Sequence, residues 1–206
     1  MTTVYRWQHL ELITRQKVVG IIRATGAAEA ARMARACLTG GLNVVEISLT
    51  TPDALDAIRT TVRTHPDALI GAGTVLDAAS ARAATLAGAR FLVSPSLHRD
   101  VIETAHRHGA SAIPGACTPT EAVAAIAAGA DAVKLFPASQ WTPASFRDMR
   151  AALPQIPFVP TGSISAAQAP EWIAAGAIAV GMGASLAAGT PEESTARIKD
   201  LLGSLK

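Results

Sequence analysis

The sequence predicts an α/β fold, a (β/α)8 TIM barrel with a short N-terminal helix, on three grounds. Short runs rich in β-branched residues alternate eight times with alanine-rich stretches, most of which end in glycine. No linker or low-complexity segment interrupts the series, so one domain over residues 1–206 is expected. The first run continues as IIRATG and lacks the glycine fingerprint of an open, doubly wound sheet, which favours the barrel.

The elements follow one another in a regular order. Residues Tyr5 to Gln16 predict an amphipathic helix, because leucine and isoleucine recur on one side of it. The predicted strands are Val18–Ile22, Asn43–Ser48, Ala68–Gly71, Arg90–Ser94, Ser111–Pro114, Asp131–Phe136, Pro157–Thr161 and Ala177–Gly181. Helices between them imply parallel strands with right-handed crossovers.

The ends of the predicted helices carry recognisable capping residues. Candidate N-caps are Asp77, Thr118, Thr142, Ser165 and Thr190. Proline follows Thr142 and Thr190 directly, at the first helical position, where it is favoured. Several predicted helices end at glycines, which are typical of C-caps: Gly40, Gly41, Gly88, Gly109, Gly129 and Gly176.

Composition argues against several classes of protein. The net charge of +2 is small and the basic residues are scattered, so neither nucleic acid nor a membrane surface is an expected partner. No stretch approaches the ~20 apolar residues of a membrane span. The N-terminus lacks a signal-peptide core, and Cys37 and Cys117 fit no metal or redox spacing. A cytoplasmic protein with reduced thiols is therefore expected.

The sixth predicted strand contains a lysine within an apolar run. In DAVKLFP, alternation along the strand places Ala132, Lys134 and Phe136 on one face. The chain has four lysines, and Lys134 is the one that lies far from both ends. Burial favours a neutral amine, which can attack a carbonyl and form a Schiff base. The alternatives are an ion pair in the core and a lysine whose head extends to the strand end.

The second predicted strand contains a carboxylate in the same kind of setting. Glu46 stands between valine and isoleucine in VVEIS, so its side chain is expected to point into the barrel or meet a partner. Beside Lys134 it would be suited to general base catalysis, with its pKa set by burial and by the amine. A structural pair of Lys134 and Glu46 is the alternative.

Other strand ends add polar groups where barrels place their active sites. Arg23 ends the first strand and is suited either to clamping a carboxylate or to pairing with Glu46 or Asp131. Thr74 follows the third strand and either binds a carboxylate or caps a turn. Glycine turns follow the last two strands, where barrels often bind phosphate, but such turns need glycine anyway.

A metal site is not expected. His106 and His108 are not at a helical ligand spacing, and no acidic cluster accompanies them. Cys117 lies just beyond the fifth strand and is expected to be a small wall residue, because no histidine base is evident beside it. No cofactor is expected either.

From about Val18 to Leu186 the chain resembles the 2-keto-3-deoxy-6-phosphogluconate (KDPG) aldolase family, including its phosphogalactonate and 4-hydroxy-2-oxoglutarate relatives. The matching motifs, specific as an ordered set, are IIRA, GGLNVVEISL, IGAGTVLD, FLVSPS, IPGACTPTEA, AVKLFPAS and VPTGSIS. The resemblance implies a class I aldolase, a trimeric and metal-independent barrel. It would cleave a 2-keto-3-deoxy-6-phospho sugar acid reversibly to pyruvate and glyceraldehyde 3-phosphate.

The resemblance also implies a role for each matching residue. Lys134 matches the Schiff-base lysine, and Glu46 matches the carboxylate that transfers protons. Arg23 and Thr74 match residues that hold the carboxylate of the pyruvyl group. Pro95 and Phe136 match residues that form the walls around that group. The residues that match the phosphate-binding loops are Gly162, Ser163, Gly183 and Ala184, with Ser185 adjacent.

The departures from the family pattern fall in the phosphate loops. The family usually has a second glycine where Ser163 stands, and often serine where Ala184 stands. An aldolase for an unphosphorylated 2-keto-3-deoxy or 4-hydroxy-2-oxo acid is therefore the alternative function. A different phosphate-binding barrel enzyme, with no need of a nucleophilic lysine, and a non-catalytic trimeric scaffold on the same fold are the further alternatives.

Overall fold

The computed structural model describes residues 5–187 and 189–205, and the side chains of Ala184 and Ala187 lie outside that description. The helices are α1 (Arg6–Gln16), α2 (Ala27–Thr39), α3 (Ala54–Thr64), α4 (Ala78–Leu86), α5 (Arg99–Arg107), α6 (Pro119–Ala127), α7 (Pro143–Ala152), α8 (Ala169–Ala174), α9 (Ala184–Ala187) and α10 (Pro191–Ser204). The strands are β1 (Val18–Ile22), β2 (Val44–Ser48), β3 (Leu69–Gly73), β4 (Phe91–Val93), β5 (Ser111–Ile113), β6 (Gly115–Ala116), β7 (Val133–Leu135), β8 (Phe158–Pro160) and β9 (Val180–Met182). The predicted alternation of strands and helices is confirmed.

The strands are parallel and form two sheets. Six strands pair in the order β5-β4-β3-β2-β1-β9, and three pair in the order β6-β7-β8. An isolated parallel bridge between Thr161 and Gly181 links the end of β8 to β9. The α/β class and the parallel pairing are therefore as predicted, and the sheet curls so that the strand ends face one region.

The fifth predicted strand is divided by a proline. The structure has β5 before Pro114 and β6 after it, where the sequence predicted one strand over Ser111–Pro114. Proline has no N–H to donate to a neighbouring strand, which interrupts the ladder at this point. The carbonyl oxygen of Pro114 still accepts a hydrogen bond of 2.9 Å from the backbone N–H of Lys134.

The predicted helix starts are confirmed at four of the five candidate caps. The side-chain oxygens of Asp77, Thr118, Thr142 and Thr190 each accept a hydrogen bond from a backbone N–H in the first turn of a helix. At Ser165 the predicted cap forms on the turn that precedes the helix. The Ser165 Oγ atom accepts a hydrogen bond of 3.3 Å from the backbone N–H of Gln168, whereas α8 itself begins later, at Ala169, with Gln168 as N-cap.

Two apolar clusters lie on opposite faces of the strands. The larger fills the space between strands and helices, and it includes Val133 and Leu135. The smaller lies on the inner face of the strands, where Ala132, directly before β7, and Ile13 of α1 contribute. Because side chains alternate, Lys134 shares the inner face with Ala132, as the sequence predicts.

No helix within the described ranges is both long enough and apolar enough to cross a membrane.

Candidate active site

A cavity of about 510 Å³ opens where the carboxyl ends of the strands meet. Its walls include residues from seven strands or the loops that follow them. Every predicted site residue except Ala184 lines it: Arg23, Glu46, Thr74, Pro95, Lys134, Phe136, Gly162, Ser163, Gly183 and Ser185. Residues far apart in the chain are thus brought to one place by the parallel arrangement of strands.

Glu46 lies at the centre of β2 and is directed into the barrel interior. Its register neighbours are Ile21 on β1 and Gly71 on β3, and 3% of its surface is exposed. A Cβ atom at Gly73 would stand 2.5 Å from the Glu46 Oε1 atom. Glycine at position 73 therefore gives the carboxylate the space it occupies.

The surroundings of Glu46 favour its protonated form. Burial raises the pKa of Glu46, because an ionised carboxyl loses hydration in this setting. The positive charges of Lys134 and, to a smaller extent, Arg23 act in the opposite direction and lower it. The net effect is a pKa above the ordinary value of 4.5, which suits a group that both accepts and returns a proton.

Lys134 occupies the middle of β7, between Gly115 on β6 and Val159 on β8. It is 8% exposed, and its Nζ atom lies 4.8 Å from the centroid of the Phe136 ring. Among the described residues, its amine forms no hydrogen bond or ion pair. The direct ion pair considered for Lys134 and Glu46 is therefore not formed, and the amine faces the cavity.

Arg23 and Thr74 lie at the rim of the same cavity. Arg23 is exposed just beyond β1, and its Nε atom donates to Thr50 Oγ1 over 3.2 Å. Arg23 forms no ion pair with Glu46, and Asp131 lies at the opposite ends of the strands. Thr74 follows β3 and adopts a left-handed backbone conformation with φ of +58°.

The loops after β8 and β9 form the outer part of the cavity. Gly162 and Ser163 both have positive φ, at +111° and +56°. The hydroxyl of Ser185 donates to the carbonyl oxygen of Ile164 over 3.2 Å, which joins the two loops. No helix begins directly after the first of these loops, since α8 begins only at Ala169. The side chain of Ala184 lies outside the described part of the chain.

An aldolase family model, described as KDPG and KHG aldolase, matches residues 10–201. The chain belongs to the KDPG and KHG aldolase family. The KDPG aldolase resemblance is thereby confirmed, and the protein is a lyase. In this family member, the cavity at the carboxyl ends of the strands unites the matching residues described above.

Similar proteins support this assignment along nearly the whole chain. The 2-dehydro-3-deoxy-6-phosphogalactonate aldolase of Escherichia coli K12 is 35% identical over 195 residues, 93% of this chain and 93% of the relative. The structure of native KDPGal has a TM-score of 0.85 and 32% identity, covering 91% of this chain and 93% of that chain. A KDPG aldolase from Legionella pneumophila, with pyruvate captured at low pH as a covalent carbinolamine, has a TM-score of 0.81 and 28% identity, covering 96% and 97%.

Two polar residues that line the cavity, Thr161 and Ser165, were not predicted from the sequence. Thr161 is 5% exposed and lines the cavity, and Ser165 lines it farther out. Alternation along the strand supplies a signal for the first, because Val159 belongs to the inner cluster and Thr161 follows two positions later. Ser165 was predicted only as a helix cap.

No group of three or more histidine, cysteine, aspartate or glutamate side chains in the described ranges is arranged to hold a metal ion.

Proposed function

We propose that this protein is a class I aldolase that cleaves a 2-keto-3-deoxy-6-phospho sugar acid reversibly to pyruvate and glyceraldehyde 3-phosphate. One observation carries the proposal: Lys134 and Glu46 are both buried, line one cavity and leave each other's functional groups unpaired. An amine and a carboxylate in that relation supply the nucleophile and the proton carrier of a Schiff-base aldolase. The gluconate and galactonate epimers are both substrates to be tested.

Lys134 starts the reaction when its amine, after losing a proton, adds to C2 of the substrate. The carbinolamine loses water and becomes an iminium, whose positive nitrogen accepts an electron pair. Glu46, directly or through a water molecule, removes the proton of the C4 hydroxyl, and the C3–C4 bond breaks. Its electron pair moves into the iminium to form an enamine, and the aldehyde leaves. Protonation at C3 with help from Glu46, followed by hydrolysis, releases pyruvate.

The raised pKa of Glu46 suits both of these proton transfers. A carboxyl group with the ordinary pKa is a weak base, whereas burial strengthens Glu46 as a proton acceptor. The positive charges of Lys134 and Arg23 act against this rise in the pKa of Glu46 and favour the ionised form. The same group then returns its proton to the enamine.

The remaining predicted residues position the pyruvyl part of the substrate. Arg23 and Thr74 would bind its carboxylate, because a guanidinium and a hydroxyl both donate hydrogen bonds to anionic oxygens. Pro95 and Phe136 would form its walls, and the Phe136 ring already lies 4.8 Å from the Lys134 amine. These residues would hold C2 within reach of the amine.

The loops after β8 and β9 would bind the distal phosphate. Gly162, Ser163, Gly183, Ala184 and Ser185 are the residues assigned to it, chiefly through backbone N–H groups. The comparison that tests this is kcat/KM for both phosphorylated epimers against their unphosphorylated acids. Loss of a hydrogen bond to a charged group costs about 1.5–3 kcal/mol, so at least about a tenfold preference for phosphate is expected.

One observation favours the alternative of an unphosphorylated 2-keto-3-deoxy or 4-hydroxy-2-oxo acid. The Ser185 hydroxyl already donates its proton to Ile164, and it cannot donate to a phosphate at the same time. Among the described residues lining the cavity, the cationic side chains are Arg23 and Lys134, both assigned to the pyruvyl end. Equal kcat/KM with and without phosphate would select this alternative and leave Lys134 and Glu46 in their roles.

The full architecture is proposed as one domain over residues 1–206, a closed (β/α)8 barrel that assembles as a homotrimer in the cytoplasm. Closure is supported by the single residue, Pro114, between β5 and β6, and by the bridge between Thr161 and Gly181. The trimer rests on the family resemblance. Sedimentation equilibrium of the purified protein tests it, and a monomer at micromolar concentration would reject it.

The decisive experiment for the reaction is intact-mass analysis after borohydride reduction in the presence of pyruvate. Reduction of the iminium should leave one 1-carboxyethyl group per chain, located at Lys134 by peptide mapping, and inactivate the enzyme irreversibly. Exposed Lys199 offers a matched control, and a Lys199→Arg variant should be labelled as the wild type is. Labelling at Lys17, or none, would reject the mechanism.

A further inference from the structure

A chain of side-chain hydroxyls joins Arg23 to Thr74 at the rim of the cavity. Arg23 Nε lies 3.2 Å from Thr50 Oγ1, Thr50 Oγ1 lies 2.8 Å from Ser48 Oγ, and Ser48 Oγ lies 2.9 Å from Thr74 Oγ1. Ser48 is 1% exposed and ends β2, two residues beyond Glu46 on the same face. The chain therefore runs from one predicted carboxylate ligand to the other through two residues with no assigned role.

The backbone of Thr74 shows why such a connection is needed. Its φ of +58° is left-handed, and a β-branched residue adopts that conformation rarely and at a cost in energy. Such a conformation persists only where surrounding contacts hold it. On one side the N–H of Val75 donates to Val93 over 3.1 Å, and on the other the hydroxyl of Ser48 holds the Thr74 side chain.

The donor at the outer end gives the chain a direction. A guanidinium can only donate, so Thr50 Oγ1 accepts from Arg23. If Thr50 then donates to Ser48 and Ser48 donates to Thr74, every link is satisfied and each bond polarises the next. In this arrangement the one hydroxyl proton left over belongs to Thr74, which lines the cavity.

We infer that Ser48 and Thr50 are positioning residues that orient the Thr74 hydroxyl and the Arg23 guanidinium toward the carboxylate of a bound 2-oxo acid. The inference rests on the proposed function, because it assigns the carboxylate to Arg23 and Thr74. Neither Ser48 nor Thr50 touches the substrate in this account. Their effect is specificity for an anionic group beside the reacting ketone.

The test uses borohydride trapping at Lys134 with two ketones that differ in charge. Pyruvate carries the carboxylate, and pyruvamide is its neutral amide. Thr50 is exposed, so Thr50→Val removes the hydroxyl with little consequence for folding. The pyruvate concentration for half-maximal trapping should rise about tenfold in Thr50→Val and in Ser48→Ala, with the value for pyruvamide within about twofold of wild type. Thr50→Ser, which keeps the hydroxyl, should restore pyruvate trapping.

Two further variants separate positioning from a general structural effect. Thr64→Val, in an exposed residue at the end of α3 that bonds only its own helix and His65, is the matched control and should leave both ketones unchanged. The double variant Ser48→Ala/Thr50→Val should show the loss of one single variant and not the product of two, because both break the same chain.

Failure of the inference and failure of the proposed function give different results. If wild type traps pyruvate at Lys134 but the Ser48 and Thr50 variants shift neither ketone, or shift both equally, the positioning role is rejected and the aldolase mechanism stands. If wild type traps no pyruvate at Lys134, the proposed function is rejected and the positioning role with it.

Discussion

The carboxylates near the two ends of the parallel strands differ in their hydrogen-bond partners. At the amino ends, Asp131 accepts hydrogen bonds from Arg6 over 2.7 Å, from His106 over 2.9 Å and from the Ala112 N–H over 2.9 Å. At the carboxyl ends, Glu46 forms no hydrogen bond or ion pair with another described residue, although it is the more deeply buried of the two.

In the proposed mechanism, the difference separates a structural carboxylate, Asp131, from the carboxylate that transfers protons, Glu46. Asp131 has its oxygens occupied by three donors, which join α1 to α5 and to the start of β7. Glu46 has its oxygens available within the cavity, and its raised pKa is the energetic consequence of burial without a fixed partner. Unpaired groups of this kind concentrate where a substrate completes the pairing.

The largest effect should come from the other unpaired group of the cavity. Lys134→Arg keeps the positive charge, but a guanidinium stays protonated and cannot form the Schiff base. We expect kcat to fall by about 10⁴-fold or more, in line with removal of other covalent nucleophiles, and borohydride labelling to vanish. Thermal unfolding should show that the variant is folded, and Lys199→Arg should retain full activity. A Lys134→Arg enzyme with appreciable turnover would contradict the covalent mechanism.

The next effect concerns the unpaired carboxylate. Glu46→Gln is nearly isosteric but cannot accept a proton, so kcat should fall about 10²–10⁴-fold while pyruvate trapping at Lys134 stays close to wild type. Exposed Glu103 on α5 supplies the control, and Glu103→Gln should change neither quantity. Near-normal turnover in Glu46→Gln would reject the proton-transfer role of Glu46 and remove its functional contrast with Asp131.

The raised pKa of Glu46 predicts how the stability of the protein depends on pH. Because the folded-state pKa of Glu46 lies above the ordinary 4.5, its ionisation opposes folding. Below pH 4.5 the group is protonated in both the folded and the unfolded chain, and as pH rises through the raised pKa wild type loses stability relative to Glu46→Gln. The difference in Tm between the two proteins, measured from pH 4 upward, should therefore grow in favour of the variant. A difference independent of pH would contradict the raised pKa.

The paired carboxylate should affect stability and leave chemistry alone. Asp131→Asn places an amide N–H₂ where Arg6 or His106 now donates, so one buried or half-buried donor loses its acceptor. We expect a loss of about 1–3 kcal/mol in the free energy of unfolding, with kcat/KM per folded enzyme unchanged. Asp148→Asn, at an exposed site on α7, should be neutral. A fall in kcat without a fall in Tm would mean that the two ends are coupled.

The sequence predicts only part of this contrast between the two ends of the strands. Alternation of side chains along the strand predicted correctly that Lys134 lies on the inner face. Successive side chains of a strand point to opposite faces, and Val133 and Leu135 on either side of Lys134 belong to the outer cluster. The three donors around Asp131 come from α1, α5 and β5, and no local pattern predicts which helices meet there. Asp131 was considered as a partner of Arg23, which the structure places at the other end.

Backbone features of the loops were also out of reach. The division of the fifth strand at Pro114 is an exception, because it follows from the missing N–H of proline and is predictable from the sequence. The left-handed conformations of Thr74 and Ser163 depend on tertiary contacts instead, because threonine and serine rarely adopt them alone. The start of α8 at Ala169 likewise depends on the turn that Ser165 opens.

The smallest expected effect lies in the outer loop, where a single residue can be changed in two matched ways. Ser163 has φ of +56°, a conformation that strains a residue with a Cβ atom and suits glycine. Ser163→Ala removes only the hydroxyl, whereas Ser163→Gly removes the hydroxyl and the strain. Relief of left-handed strain is worth about 1–2 kcal/mol, and the added freedom of glycine in the unfolded chain costs about 0.5–1 kcal/mol. Ser163→Gly should therefore be more stable than Ser163→Ala by up to about 1 kcal/mol.

The same pair of variants asks how the distal end of the substrate is held. If backbone N–H groups bind the phosphate, both variants should keep the ratio of kcat/KM for phosphorylated over unphosphorylated substrate within about threefold of wild type, because neither change removes a backbone donor. If the Ser163 hydroxyl binds it instead, both should lose about tenfold in that ratio, the usual consequence of losing a hydrogen bond to a charged group. A loss in Ser163→Gly alone would mean that the serine restrains the loop for binding. In that case the Ser163 side chain would act through fixed contacts, as Asp131 does at the amino ends of the strands, and unlike the unpaired Glu46.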